Sequence, residues 1–214
     1  MKYLINNKII KSHNTAKPYI QASKLTIEYI NRIESVNTIV DYGCGKLRYT
    51  YYLRKKCKQL ILVDSEEQLA RKQKLFDREI SIRELVKNDK DIKVLNEQEY
   101  AKSQDKYDII FIANVLSAIP ILEERHKLLE NVKNSITQKG YAIFISQYTD
   151  TYFKNICYMQ GAKEHLDGYL VNKGKCATYY GILPPVKLSN ILEEKGFKIL
   201  QSKILGKSVY IRAN

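Results

Sequence analysis

The chain has 214 residues, the length of one ordinary domain, and can bury a core without disulfides or metals. Hydrophobic residues at 44% against 28% charged exclude a disordered chain, and no apolar run approaches the ~18 residues of a membrane-spanning helix. The formal net charge of +13 invites a polyanionic partner, yet 28 of the 36 basic residues are Lys, so a Lys-rich background competes with a binding face.

In chain order, the first 36 residues read as a helical segment, with Ala22, Leu25, Tyr29, Ile30 and Ile33 at helical spacing. Five short β-branched or aromatic runs then read as buried parallel strands: 37–42, 58–64, 92–95, 107–113 and 140–146. A helix over Glu66–Leu75 follows the second run. Another over Arg125–Ile136 carries Leu128, Leu129, Val132 and Ile136 on one face. Pro184 and Pro185 open a helix that Gly196 closes, and FKILQSKIL and KSVYIR flank Gly206 as a hairpin. This alternation implies a single α/β domain over 1–214. Its sheet is Rossmann-like, seven-stranded and mostly parallel, with helices on both faces and the C-terminal hairpin supplying a reversed strand. Residues 148–183 fit no element of that pattern and read as a substrate-side insertion, a Tyr-rich lid.

The most informative stretch is Val40-Asp41-Tyr42-Gly43-Cys44-Gly45, between an expected strand and an expected helix. Glycines there permit a tight turn and close approach of backbone to a ligand at a helix N-terminus. Asp64 ends the next strand, where a carboxylate reaches ribose hydroxyls. A purely structural turn, with Asp64 capping the following helix, is the plainer alternative. The four cysteines and three histidines (His13, His126, His165) show no metal-ligand spacing, so no metal is expected. Widely separated thiols and an opening, MKYLINNKII, without a leader's apolar core fit a cytoplasmic protein.

IVDYGCG resembles the first motif of class I S-adenosylmethionine-dependent methyltransferases, and LILVDSEEQL their second. YDIIFIANVLSAI resembles the segment at the methionine end of the cofactor, and GYAIFIS the fifth strand. The resemblance implies S-adenosylmethionine as cofactor, with Asp41, Gly43 and Gly45 at its methionine part, Asp64 at the ribose, Asn114 beside the methionine and Cys44 among the cofactor-binding residues of the turn. Glu97 and Gln98 follow the third strand, where the family contacts adenine, although no single residue matches cleanly. Leu47 replaces the third glycine of G-x-G-x-x-G. A shorter stretch, His13-x-Thr15-Ala16 and then DYGCG, is similar to methyltransferases associated with DNA phosphorothioation systems.

Methyl transfer from a sulfonium is in-line displacement, so placement of the nucleophile dominates and a base is needed only for a weakly acidic one. His13, Tyr19 and His165 are the weak candidates for that base. The chain has Asn114-Val115-Leu116-Ser117 where N-methylating DNA enzymes carry a Pro-Pro motif, and it has no Pro-Cys pair, so both well-known DNA classes are disfavoured. Residues 46–58 hold six cations and no acid, and 151–214 hold ten cations and four acids with several tyrosines. Interleaved cations and rings serve either nucleic acid or a flat small molecule. Three readings remain open at this point. One is a methyltransferase acting on an N or O nucleophile of a small molecule or nucleic acid. The second is a non-catalytic Rossmann-like module binding nucleic acid through a basic face, and the third is a nicotinamide-dependent oxidoreductase. The sequence leaves the oligomeric state open.

Overall fold

In a computed structural model the protein is described over residues 2–174 and 176–214. It opens with β1 (Lys2–Ile5) and β2 (Lys8–Lys11), then α1 (Lys24–Asn31), β3 (Val36–Tyr42), α2 (Thr50–Arg54), β4 (Cys57–Asp64) and α3 (Glu66–Ala70). A small hairpin follows, β5 (Gln73–Leu75) and β6 (Arg78–Ile80), then α4 (Ile82–Val86), β7 (Ile92–Asn96), α5 (Glu97–Lys102) and β8 (Tyr107–Ala113). Next come α6 (Leu122–Asn134), β9 (Ile136–Gln147), α7 (Thr151–Asn155), β10 (Ala162–His165), β11 (Gly168–Lys173) and β12 (Cys176–Gly181). The chain closes with α8 (Pro185–Glu194), β13 (Ile199–Leu205) and β14 (Ser208–Ala213).

Among the described residues seven strands form one sheet in the order β13-β14-β9-β8-β3-β4-β7. β3 pairs in parallel with both β4 and β8, β4 pairs in parallel with β7, and β13 runs antiparallel to β14. The strand order reverses at β3, and such a switch point is where open α/β sheets leave a ligand crevice beyond the strand ends. All five expected strands are present. β9 is longer than expected because α6 stops at Asn134 and the β-branched pair Ile136-Thr137 already extends. Within β9, a Cβ on Gly140 would lie 2.7 Å from the Asp108 carbonyl oxygen, so only glycine lets the backbones approach this closely.

Two compact units divide the chain. The turn unit, Ala16–Ile112 with Asn134–Ala142, has a core of Ile39, Val40, Leu60 to Val63 and Ile109 to Ile112, all buried on the central strands. The hairpin unit comprises the chain up to Thr15, Ala113–Lys133 and Ile143–Asn214. It contains a second sheet in the order β1-β2-β12-β11-β10. Its core of Ile10, Ala177 and Tyr179 is flanked by Tyr3, Ile5 and Leu170.

Three expectations are corrected. Residues 1–36 are not a helical segment throughout: Lys2–Lys11 is a β-hairpin turning at Asn6 and Asn7, both left-handed with φ of 49° and 59°. Two consecutive left-handed residues make a type I′ turn, which Asn tolerates. The helix expected over Glu66–Leu75 ends at Ala70. Arg71 is extended, and Phe76 at φ 53° turns the chain into the β5–β6 hairpin. The helix expected directly after the glycine turn is only Thr50–Arg54, because Leu47 is left-handed at φ 58° and Lys46 bridges to Pro18. The 148–183 stretch carries structure of its own: α7 and three strands that join the N-terminal hairpin in the second sheet.

Candidate active site

The turn after β3 is built from both ends of two adjacent strands. β3 and β4 pair with Tyr42 opposite Val63, and the Val63 carbonyl accepts from Gly43 N–H at 2.7 Å and Cys44 N–H at 3.1 Å. Gly43 and Gly45 have φ of 72° and 58°, a region costly for any residue with a Cβ. Gly45 carries a second constraint: an added Cβ would sit 3.3 Å from the Ala16 Cβ. The Pro18–Lys46 bridge lays the 16–21 segment along the same turn.

Asp64 closes the turn. Its Oδ2 accepts from Gly45 N–H at 2.9 Å and its Oδ1 from Ser65 N–H at 2.8 Å. Burial raises its pKa, and the hydrogen bonds from the Gly45 and Ser65 backbone oppose that rise. Asp41 lies on the strand below, with its Oδ2 accepting from the Thr50 hydroxyl at 2.6 Å. Burial, countered by Thr50 and reinforced by Asp64, lifts its pKa from 3.8 to about 7. The Cys44 thiol, buried beside both carboxyls, is pushed well above its usual pKa; it is a packed group, not a ready nucleophile.

The structure thus brings Asp41, Gly43, Cys44, Gly45 and Asp64 together. Glu97 and Gln98 come next to them, because β7 pairs with β4 so that Asn96 stands opposite Asp64. They open α5, whose capping box has the Asn96 side chain accepting from the Gln98 and Glu99 N–H groups. Tyr19 lies in the same unit. It stacks on Tyr52 with ring centroids 5.8 Å apart, touches Tyr51 and Phe76, and its hydroxyl accepts from Tyr52 at 3.4 Å.

Asn114, His13 and His165 belong to the hairpin unit. Asn114 is left-handed at φ 59°; its N–H donates to Ile145 at 2.7 Å and its Oδ1 accepts from Gln147 N–H at 2.8 Å. Gln147 in turn donates to Asp150, the cap of α7. His165 Nε2 lies 2.6 Å from the Pro120 carbonyl, and its ring packs edge-on against Tyr179. His13 sits in the short 3-10 turn Ser12–Thr15.

Two arrangements have no counterpart in the sequence reading. Gln68 donates to the Gly45 carbonyl at 2.5 Å. In the hairpin unit, Arg125 forms a buried fork with Asp167 at 2.5 and 2.9 Å, and also donates to Tyr179 at 2.9 Å and the Ile119 carbonyl at 2.8 Å. Burial works to raise the Asp167 pKa, but Arg125 and Tyr179 outweigh it and hold the carboxyl below the usual range. The partners of Arg125 are 42 and 54 residues distant, so no local pattern announces them. Tyr179, read as one of the tyrosines of a basic substrate side, is a fully buried core residue.

A glycine turn between parallel strands, an acid at the end of the second strand and a terminal antiparallel hairpin define a class I S-adenosylmethionine-dependent methyltransferase. Over residues 16–202 the chain matches the family described as "Methyltransferase domain", and it belongs to that family. It is 32% identical over 212 residues, 99% of this chain and 95% of the other, to "Uncharacterized protein YmfD" of Escherichia coli (strain K12). Among solved structures it resembles an S-adenosylmethionine-dependent methyltransferase from Clostridium acetobutylicum ATCC 824, with TM-score 0.60, 14% identity and 94% and 93% of the two chains covered. It also resembles the Burkholderia thailandensis 1,6-didemethyltoxoflavin-N1-methyltransferase with bound 1,6-didemethyltoxoflavin and S-adenosylhomocysteine (TM-score 0.58, 12% identity, 84% and 71% covered). At such identities these two share the fold.

The turn fits the cofactor this class uses. Gly43 and Gly45 supply the left-handed backbone of the tight turn, and Asp64, with two oxygens and about four acceptor sites, keeps capacity beyond its backbone bonds. Among the described residues no cluster of His, Cys, Asp and Glu could hold a metal, and no helix is long and apolar enough to cross a membrane.

Proposed function

We propose that this methyltransferase modifies an N or O nucleophile of a small-molecule acceptor. Asp41, Gly43, Cys44 and Gly45 hold the methionine part of S-adenosylmethionine through the turn, Asp64 takes the ribose, and Glu97, Gln98 and Asn114 complete the binding residues. The cofactor supplies an activated methyl group; the chain's own residues bind, orient and exclude water. An amine that arrives neutral can attack without a base and sheds its proton to solvent afterwards, whereas a protonated amine or a hydroxyl acceptor needs one, for which His13, Tyr19 and His165 stand as candidates.

The observation that carries the small-molecule reading is the segment after β8, within the hairpin unit. Ser12 donates to the Ala118 carbonyl at 2.5 Å, Arg125 to Ile119, and His165 bonds Pro120. Gly181 adds a close backbone approach, since a Cβ there would lie 3.0 Å from the Ser117 carbonyl oxygen. Three consecutive carbonyls of a loop that resembles the family's methionine-end segment are tied to the second sheet and its flanks. Such bracing favours an enclosed acceptor over a long polymer. The 1,6-didemethyltoxoflavin-N1-methyltransferase of the same fold binds 1,6-didemethyltoxoflavin.

Calorimetric titration with S-adenosylhomocysteine tests the cofactor site. Wild type is expected to bind one equivalent and Asp64→Ala at least tenfold more weakly; a folded wild type that binds none refutes the reading. For the acceptor, methyl-labelled cofactor is incubated with cell extract split by ultrafiltration. Label in a small-molecule product separated chromatographically from the cofactor, and absent without the enzyme, supports the proposal, and new label confined to macromolecules overturns it.

A second reading, nucleic acid as partner, is favoured by one surface of the turn unit. Tyr51 and Phe76 are about half exposed, both touch Tyr19, and Lys55 Nζ lies 4.2 Å from the Tyr51 ring centroid. Exposed rings beside cations can stack bases and follow phosphates.

A further inference from the structure

Gly45 is one of two left-handed glycines in the turn, and both polar groups of its backbone are held. Asp64 takes its N–H, and the carbonyl accepts from Gln68 Nε2. Gln68 lies on α3, four residues past Asp64, and is 2% exposed. Its amide also donates to Gln73 Oε1 at 3.2 Å, Gln73 returns a bond to the Gln68 carbonyl at 3.4 Å, and Arg71 donates to the same Gln73 oxygen at 3.2 Å. Flipping the Gln68 amide would set its oxygen against the Gly45 carbonyl and Gln73 Oε1, so the network fixes its orientation.

The two holds on Gly45 are not equivalent. Asp64 is the acid assigned to the ribose, so Gly45 would share its oxygens with ligand hydroxyls. Gln68 holds the Gly45 carbonyl and makes no bond to Asp64. We propose that Gln68 is a positioning residue for the cofactor turn, and that the β5–β6 hairpin, through Gln73, locks it in place. The proposal rests on the cofactor reading above. It makes α3 and its hairpin part of the binding apparatus.

Gln68→Met keeps length and apolar volume and removes the donor. In wild type and variant, hydrogen exchange of the Gly45 and Leu47 amides and affinity for S-adenosylhomocysteine are measured together. The proposal expects exchange at the turn to quicken severalfold while Ile61 and Ile110 in the strands stay as slow as before, and affinity to fall about five- to tenfold. Gln73→Leu, which leaves the Gly45 bond in place but frees the amide, is expected to lose about twofold; it serves also if Gln68→Met does not fold. Unchanged exchange at the turn, or unchanged affinity in a variant whose turn has loosened, overturns the proposal while leaving the cofactor reading intact. A wild type that does not bind S-adenosylhomocysteine instead overturns the cofactor reading, and the proposal falls with it.

Discussion

Asp41 shows how much a buried site costs the fold that carries it. Its carboxyl titrates at about 7 in the folded chain and near 3.8 when free. Between those values the folded state binds one more proton than the unfolded, so this group's contribution to stability declines as pH rises through the window and is constant above it. Asp41→Asn keeps an acceptor for the Thr50 hydroxyl and removes the charge. The variant should melt roughly 5 °C or more above wild type at pH 8 and within about a degree of it at pH 4, by calorimetry of both proteins without ligand. Equal melting points at pH 8 would mean that Asp41 is not buried as a charge. Residues of this kind were legible in the sequence, because the acid, the glycines and Asp64 lie within 24 positions on one βαβ path. Gln68 was not, since a lone glutamine on a short helix shows its partner only once Gly45 is folded beside it.

At the scale of elements, the Arg125 fork is a buried polar join in the hairpin unit. It ties the first turn of α6 to the β10–β11 turn, and both members are nearly excluded from water. Arg125→Met leaves Asp167 buried without its cation and should lower stability by about 3–5 kcal/mol in urea unfolding. Adding Asp167→Leu should recover much of that loss, since replacing both members removes the uncompensated charge. A double variant no more stable than the single one would refute this account. Arg125→Lys should rescue poorly, because an ammonium cannot reproduce the two-pronged contact. The parallel strands were legible because each is a short, wholly apolar run. The hairpins were less so. Lys2–Lys11 turns on Asn-Asn rather than a glycine pair, and its strands mix apolar and basic residues, so their burial depends on Tyr179 and Ala177 far along the chain.

For the molecule as a whole, the charge of +13 now divides into distinct parts. Several cations are engaged: Arg54 pairs with Asp91, Arg83 with Glu66, Lys93 with Asp105, and Lys56 donates to the Asn31 carbonyl. If the small-molecule reading holds, a short single-stranded oligonucleotide should bind only through the remaining field. Its affinity should fall steeply between 50 and 200 mM salt, and Tyr51→Ala with Phe76→Ala should leave it unchanged. A tenfold loss in that double variant, read by fluorescence anisotropy, would favour the nucleic-acid reading instead.

The sequence by itself determined the parallel core, the glycine turn and its acid, because each depends on neighbours close along the chain and on the period of a strand. It also sufficed for the terminal hairpin, which a single glycine punctuates. Tertiary structure alone decided which distant residues brace each unit. Gln68 reaches Gly45 across 23 positions, Arg125 reaches Asp167 across 42, and Ser12 reaches Ala118 across 106. A buried polar side chain must find a partner wherever the fold supplies one, and that place is set by packing, which no local pattern of residues records.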